Sequence, residues 1–239
     1  ANTPAKHSIT PARMEEICAV SCGPVELQIH HRKVMGEWLW PAAGPLASWL
    51  AGLAGSDGCS SLLELGCGAG LCAFAFAKAT GAPIVLTDYD ERVLELAEMN
   101  AELNGVVGYQ VRSLELGCLP DMLALVDEFG TFPLVVASDI IYEQGQVARV
   151  LSSVIRLLDA DARCIIALSD AFQNYVASLM AQAEAKDFSV EVIVQSGTSL
   201  VILTRGNPAW SLPPCKDFDP VDSSGGTDET MHRAELLFA

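Results

Sequence analysis

Four apolar runs in this chain end in residues able to hold or activate a ligand. Ser61-Leu-Leu leads into Glu64-Leu65-Gly66-Cys67-Gly68-Ala69-Gly70, where glycine at every second position leaves backbone bare for a ligand to lie against. Ile84-Val-Leu-Thr ends at Asp88-Tyr89, and a carboxylate there can accept both hydroxyls of a ribose. After Val111-Arg-Ser come Leu114 and Glu115, able to flank a base and bond its exocyclic amine. Leu134-Val-Val-Ala runs into Ser138-Asp139-Ile-Ile-Tyr142, which brings a carboxylate and an aromatic hydroxyl to the same sheet edge. The glycines alone do not choose between a pyrophosphate cradle and a phosphate-free floor. The dinucleotide fingerprint G-x-G-x-x-G needs a glycine at position 71, where Leu71 stands. An acid at position 88 suits the ribose of any adenosyl ligand.

To be positioned together, these residues need strands alternating with helices. Strands are expected over 61–65, 84–87, 109–111, 134–138 and 164–168, with helices at about 71–79, 91–103 and 146–158. Asp90 is a candidate N-cap for the second helix, and Asn104-Gly105 a stop. A last helix over 172–186 precedes strands over 189–195 and 199–204, whose spacer Ser196-Gly197-Thr198 makes them an antiparallel pair. The expected fold is α/β: a Rossmann-like seven-stranded sheet of five parallel strands plus a terminal antiparallel pair, with helices on both faces. An N-terminal β/α extension (1–58) is expected to pack on this domain (59–205). It holds a β-rich stretch over 25–31, then Gly36-Glu-Trp-Leu-Trp40-Pro-Ala-Ala-Gly-Pro-Leu46 and an amphipathic helix to about Leu53. The proline-rich segment 206–239 reads as a flexible acidic tail, too poor in apolar residues to offset the entropy of ordering it.

With 239 residues, 51% of them apolar, the chain can bury a large core. No apolar run is long enough to span a bilayer, and no basic start followed by an unbroken apolar stretch opens the chain, so neither a membrane span nor a secretory signal is expected. Eight cysteines scattered through apolar segments fit reduced thiols in the cytoplasm or the nucleus. Cys18 and Cys22 lack a second ligand pair, so no metal site is expected. A net charge of −16 argues against directly gripped nucleic acid and would draw in a basic protein segment. A monomer is expected.

The ordered set resembles the seven-β-strand, S-adenosylmethionine-dependent methyltransferases, and within them family 16, protein lysine methyltransferases with a D-x-x-Y motif after the fourth strand. The matching pieces are Trp40-Pro-Ala-Ala within 36–46, Glu64 to Gly70, Leu86-Thr-Asp88, Asn100, Leu114-Glu-Leu-Gly117 and Ser138-Asp-Ile-Ile-Tyr142. They occur in family order between about residues 25 and 204. The resemblance implies that Glu64 and the Gly66, Cys67, Gly68 and Gly70 backbone face the methionine moiety of S-adenosylmethionine. Asp88 would bind the ribose, Tyr89 would lie near the adenine, Leu114 and Glu115 would frame it, and Trp40 and Ser138 would complete the cofactor site. Where the family often has Asp-Trp, this chain has Glu115-Leu116.

The implied acceptor is a lysine of a protein partner with a basic segment. Asp139 would orient its ammonium and Tyr142 would supply an aromatic wall and a hydroxyl. An alternative has Asp139 capping a helix that starts near Gln144. Asp170 would shape the mouth or cap the following helix. Other acceptors (a protein histidine or arginine, or a small molecule) and a non-catalytic cofactor-binding module stay open. A dinucleotide oxidoreductase is disfavoured by Leu71, the terminal antiparallel pair and the lack of an evident Tyr-x-x-x-Lys pair.

Overall fold

A computed structural model describes residues 16–32, 36–54 and 59–212. The first elements among the described residues are a hairpin, β1 (Glu16–Cys22) and β2 (Val25–His31), and then α1 (Ala43–Ala51). The main domain then runs β3 (Leu62–Leu65), α2 (Leu71–Thr80), β4 (Ile84–Asp88), α3 (Glu91–Leu103), β5 (Tyr109–Ser113), α4 (Leu119–Phe129), β6 (Phe132–Ser138), α5 (Gln146–Leu157) and β7 (Leu158–Ser169). A 3₁₀ turn over Asp170–Tyr175, α6 (Val176–Glu184), β8 (Ser189–Gln195) and β9 (Thr198–Arg205) follow.

Strand order in the seven-stranded sheet is β5-β4-β3-β6-β7-β9-β8. The five strands β3 to β7 are parallel, and the β8–β9 hairpin closes the sheet with β9 antiparallel to β7. From β3 the chain winds outward through β4 and β5, then returns to place β6 on the other side. That reversal opens a crevice at the carboxyl ends of β3 and β6, where the glycine segment and the Asp139–Tyr142 turn emerge.

Residues of β3 are buried on both sides, as a central parallel strand demands. Leu62 packs with α1, α2, α3 and the β1–β2 hairpin, whereas Leu63 and Leu65 pack with α4, α5 and α6. Strand alternation therefore sends Glu64 to the same face as Leu62, toward α2. The hairpin joins that layer through Val20, Cys22, Val25, Leu27 and Ile29.

Several boundaries differ from expectation for identifiable reasons. β1 was not anticipated because its inward side is Cys18, Val20 and Cys22, a weak hydrophobic alternation. Also unanticipated is α4, a short helix with Pro in its first turn and only Met122 and Leu125 fully buried. The last helix begins as a 3₁₀ turn, so its α-helical part spans only Val176–Glu184. Segment 206–212 is docked and is not part of a flexible tail: Trp210 is buried, Arg163 stacks on its ring at 4.7 Å, and Asn207 N–H donates to Asp161. The expected tail beyond 212, Cys215 included, and residues 1–15 lie outside the described residues. No helix among the described residues is long and apolar enough to cross a membrane.

Candidate functional site

The floor of the crevice is built from the β3–α2 connection. Glu64, at 1% exposure, accepts a hydrogen bond from Ala73 N–H at 3.0 Å, so a strand carboxyl satisfies one of the orphan donors in the first turn of α2. Burial pushes this carboxyl up to about 8, against the lowering effect of its bonds to Ala73 and Cys72. Gly66 has φ 62°, and a Cβ there would lie 2.6 Å from Ile140 Cγ2, so the floor packs directly on the Asp139–Tyr142 turn. Gly70, the left-handed N-cap of α2, faces inward, where a Cβ would meet the Phe74 ring at 2.4 Å.

Trp38, Leu39 and Trp40 form the opposite wall. With Glu64, Gly66, Cys67, Gly68, Ala69 and Ser138 they line a cleft completed by Ala43, Leu71 and Cys72. Cys72 Sγ reaches Ala43 O at 3.6 Å and Ser138 Oγ at 3.9 Å, tying α1, α2 and β6 together at this point. Sequence reasoning missed Trp38, Leu39 and Cys72, which sit one or two positions from residues it did name.

Asp88 ends β4 at 7% exposure. Desolvation raises its pKa, opposed by backbone donors from Asp90, Gly68 and Tyr89, so the carboxylate touches the glycine segment itself. Leu114 N–H donates to Asp88 O at 3.0 Å, which brings the end of β5 alongside. Leu114 is buried, Glu115 and Tyr89 are exposed, and Glu115 N–H is held by Asp121. These four lie outside the cleft lining, strung along the neighbouring sheet edge.

On the other side of the crevice, Asp139 is 5% exposed and left-handed, with φ 48°. Its Oδ1 accepts from Ser169 N at 2.8 Å and Ser169 Oγ at 2.9 Å, and its Oδ2 accepts from Ala42 N at 3.0 Å. Asp139 therefore buckles the Trp40–Ala42 turn to the ends of β6 and β7. It does not cap α5, whose N-cap is Gly145 without a capping side chain. The turn after it is held by Gln146, whose Oε1 accepts from Tyr142 N and Glu143 N, and by Tyr175, whose hydroxyl donates to Tyr142 O at 3.0 Å. Phe172 lies against Trp40, ring centroids 6.1 Å apart. Asp170 is exposed and abuts Gly197 of the β8–β9 turn. Nothing in the motif pattern singled out Ser169, Phe172 or Tyr175, because they sit at the end of β7 and in the 3₁₀ turn after it, far from the glycines in sequence.

A family model for lysine methyltransferases matches residues 24–182, from the hairpin through most of α6. The chain belongs to the lysine methyltransferase family. Ribosomal protein L11 methyltransferase of Rhodopseudomonas palustris (strain BisB5) is 27% identical over 144 residues, covering 59% of this chain. The match covers 46% of that protein, so the chain spans about half the length of the curated relative it resembles. In fold, the chain is similar to a ribosomal protein L11 methylase from Lactobacillus delbrueckii subsp. bulgaricus (TM-score 0.54, 19% identity, 71% of this chain and 81% of that one). It is also similar to a TehB-like SAM-dependent methyltransferase from Corynebacterium glutamicum (TM-score 0.52, 18% identity, 67% and 87%).

As a lysine methyltransferase family member, the chain uses S-adenosylmethionine. The cleft suits the amino-acid end of that molecule: its lining holds one acid, Glu64, and no Lys or Arg that a pyrophosphate would require. A buried carboxyl raised to about 8 is one that a nearby ammonium or sulfonium would return to its ionised form.

Proposed function

We propose that the protein methylates the ε-amine of a lysine in a protein partner. The observation that carries the reading is the set of aromatic residues placed beside the cleft: Trp40, which lines it with Ser138 and lies against Phe172, and Tyr142, whose backbone carbonyl Tyr175 holds two residues after the Gly66–Ile140 contact. When bound, S-adenosylmethionine supplies a methyl on a sulfonium, transferred by in-line displacement with the sulfur as leaving group. The protein's own task is to align an uncharged amine at roughly 3 Å and to keep water from competing. A lysine amine titrates near 10.4 in water, about the range of a free side chain, and desolvation against aromatic walls lowers that value. In this reading Tyr142 and Trp40 form the walls. Asp139, with both oxygens already accepting backbone or hydroxyl donors, acts by holding those walls in place and leaves the amine to them.

On the cofactor side, Glu64 faces the α-ammonium and the Gly66–Gly68 backbone supports the methionine chain. Asp88 takes the ribose hydroxyls, and Tyr89, Leu114 and Glu115 border the adenine. Gly70 belongs to the cofactor loop as its hinge into α2. A protein acceptor is the substrate class named for the Rhodopseudomonas relative, and a surface with net charge −16 attracts a basic segment.

The test is transfer of labelled methyl from S-adenosylmethionine to proteins of a cell extract, with Asp88→Ala as the control. Labelled protein bands that disappear with Asp88→Ala support the reading. Label confined to small molecules, or bands unchanged by Asp88→Ala, defeats it.

A further inference from the structure

Asn100 is fully buried on α3, the helix that follows Asp88, the residue assigned to the ribose in the function proposed above. Its side chain reaches two separate segments. Oδ1 accepts from His30 N at 2.8 Å, and Nδ2 donates to His30 O at 2.9 Å and to Ala69 O at 3.0 Å. Those partners fix the amide's orientation, because two carbonyls require the NH₂ and the His30 N–H requires the oxygen. One turn later Asn104 repeats half of the arrangement: Oδ1 accepts from Gln28 N at 2.8 Å and Nδ2 donates to Gln28 O at 2.7 Å. The two asparagines thus serve as a strand edge for β2, satisfying the backbone groups of alternate residues that β1 does not pair. Asn104's remaining bond returns to Asn100 O, within its own helix. Only Asn100 continues to Ala69, between Gly68 and Gly70 in the cofactor loop.

We infer that Asn100 is a positioning residue for the cofactor loop, coupling the β1–β2 hairpin to cofactor binding. The loop is then gripped from two sides. The Asp88 carboxylate takes the Gly68 N–H, and Asn100 takes the Ala69 carbonyl. The hairpin, well outside the cleft lining, holds Asn100 in the orientation this grip needs. Asn100 touches no reacting atom; it sets where the Gly66–Gly68 backbone lies.

Asn100 and Asn104 make a matched pair for testing, since both latch the hairpin and one reaches the loop. Calorimetry with S-adenosylhomocysteine on the full chain should show Asn100→Asp, which sets oxygen against two carbonyls, weakening binding about tenfold or more, the scale of an unsatisfied buried acceptor. The Michaelis constant for S-adenosylmethionine should rise with little change in turnover at saturation. Asn104→Ala should lower the unfolding temperature yet leave cofactor affinity within about twofold, as expected for an additive, separate site. Equal weakening by both variants, or wild-type affinity in folded Asn100→Asp, overturns the inference. If Asn100→Asp does not fold, hydrogen exchange on the wild type decides: coupling is reciprocal, so S-adenosylhomocysteine should slow exchange at His30, held by Asn100, as well as in the loop, and leave Gln28, held by Asn104, largely unchanged. Protection restricted to the loop would contradict it.

Discussion

Glu64 performs two tasks at one position: it caps α2 through Ala73 and presents its remaining oxygen side to the cleft. With its carboxyl raised to about 8 by burial, it is largely protonated at neutral pH in the free protein. A cationic amino-acid tail favours the ionised form, so affinity for S-adenosylhomocysteine should rise as pH climbs toward and through 8. Calorimetry across that range should show the rise in the wild type and a flattened profile, with weaker binding, in Glu64→Gln. Asp139 calls for a different test, because its carboxylate is consumed by Ala42 and Ser169. Asp139→Asn would set an NH₂ against a buried donor and should cost about 1–3 kcal/mol of stability, read by denaturant unfolding. An Asp139 whose only duty was to face the acceptor would lose activity and keep its stability.

At the scale of elements, the 3₁₀ turn between β7 and α6 supports the acceptor side, and Tyr175 is its contact with the Asp139–Tyr142 turn. Tyr175→Phe should reduce turnover several-fold while leaving S-adenosylhomocysteine affinity unchanged, as expected when one hydrogen bond of about 1 kcal/mol that orders a wall is lost. The central strands and α2, α3 and α5 were legible in sequence because burial on both sheet faces imposes long apolar runs, and because Asp90 caps α3 through Arg92 N–H. Glu64, Gly66, Cys67, Gly68 and Trp40 were legible as neighbours for the same reason: they follow or face strand ends in a fixed topology. Asp139's engagement by Ser169 was not, since that contact spans 30 residues and depends on the β6–β7 register. Trp210 was missed because a single aromatic among prolines gives no periodicity, although its burial beneath Arg163 is among the stronger tertiary contacts of the C-terminal segment.

Across the whole molecule, Glu64, Asp88 and Asp139 gather at the carboxyl edge of one sheet, and desolvation raises all three. Each is easier to keep folded when protonated. For Glu64 the stability so contributed is full below the ordinary value near 4.5 and is lost as pH rises through the folded value of about 8; Asp88 and Asp139, raised in the same direction, add to the loss as they ionise. Cofactor-free protein should therefore lose unfolding free energy across that window, with Glu64→Gln reducing the slope. S-adenosylmethionine should stabilise the protein more at the upper end than at the lower, because it binds the ionised form. Segment 206–212 closes the opposite side of the molecule, and Trp210→Ala should cost about 3–5 kcal/mol by thermal or denaturant unfolding, as for a large aromatic removed from a core. Methylation of a protein lysine is decided by mass mapping of the modified residue in the protein that receives labelled methyl. Added methyl mass should appear on a lysine side chain and be absent with Asp88→Ala. Methyl mass on a histidine, an arginine or a small molecule would contradict it.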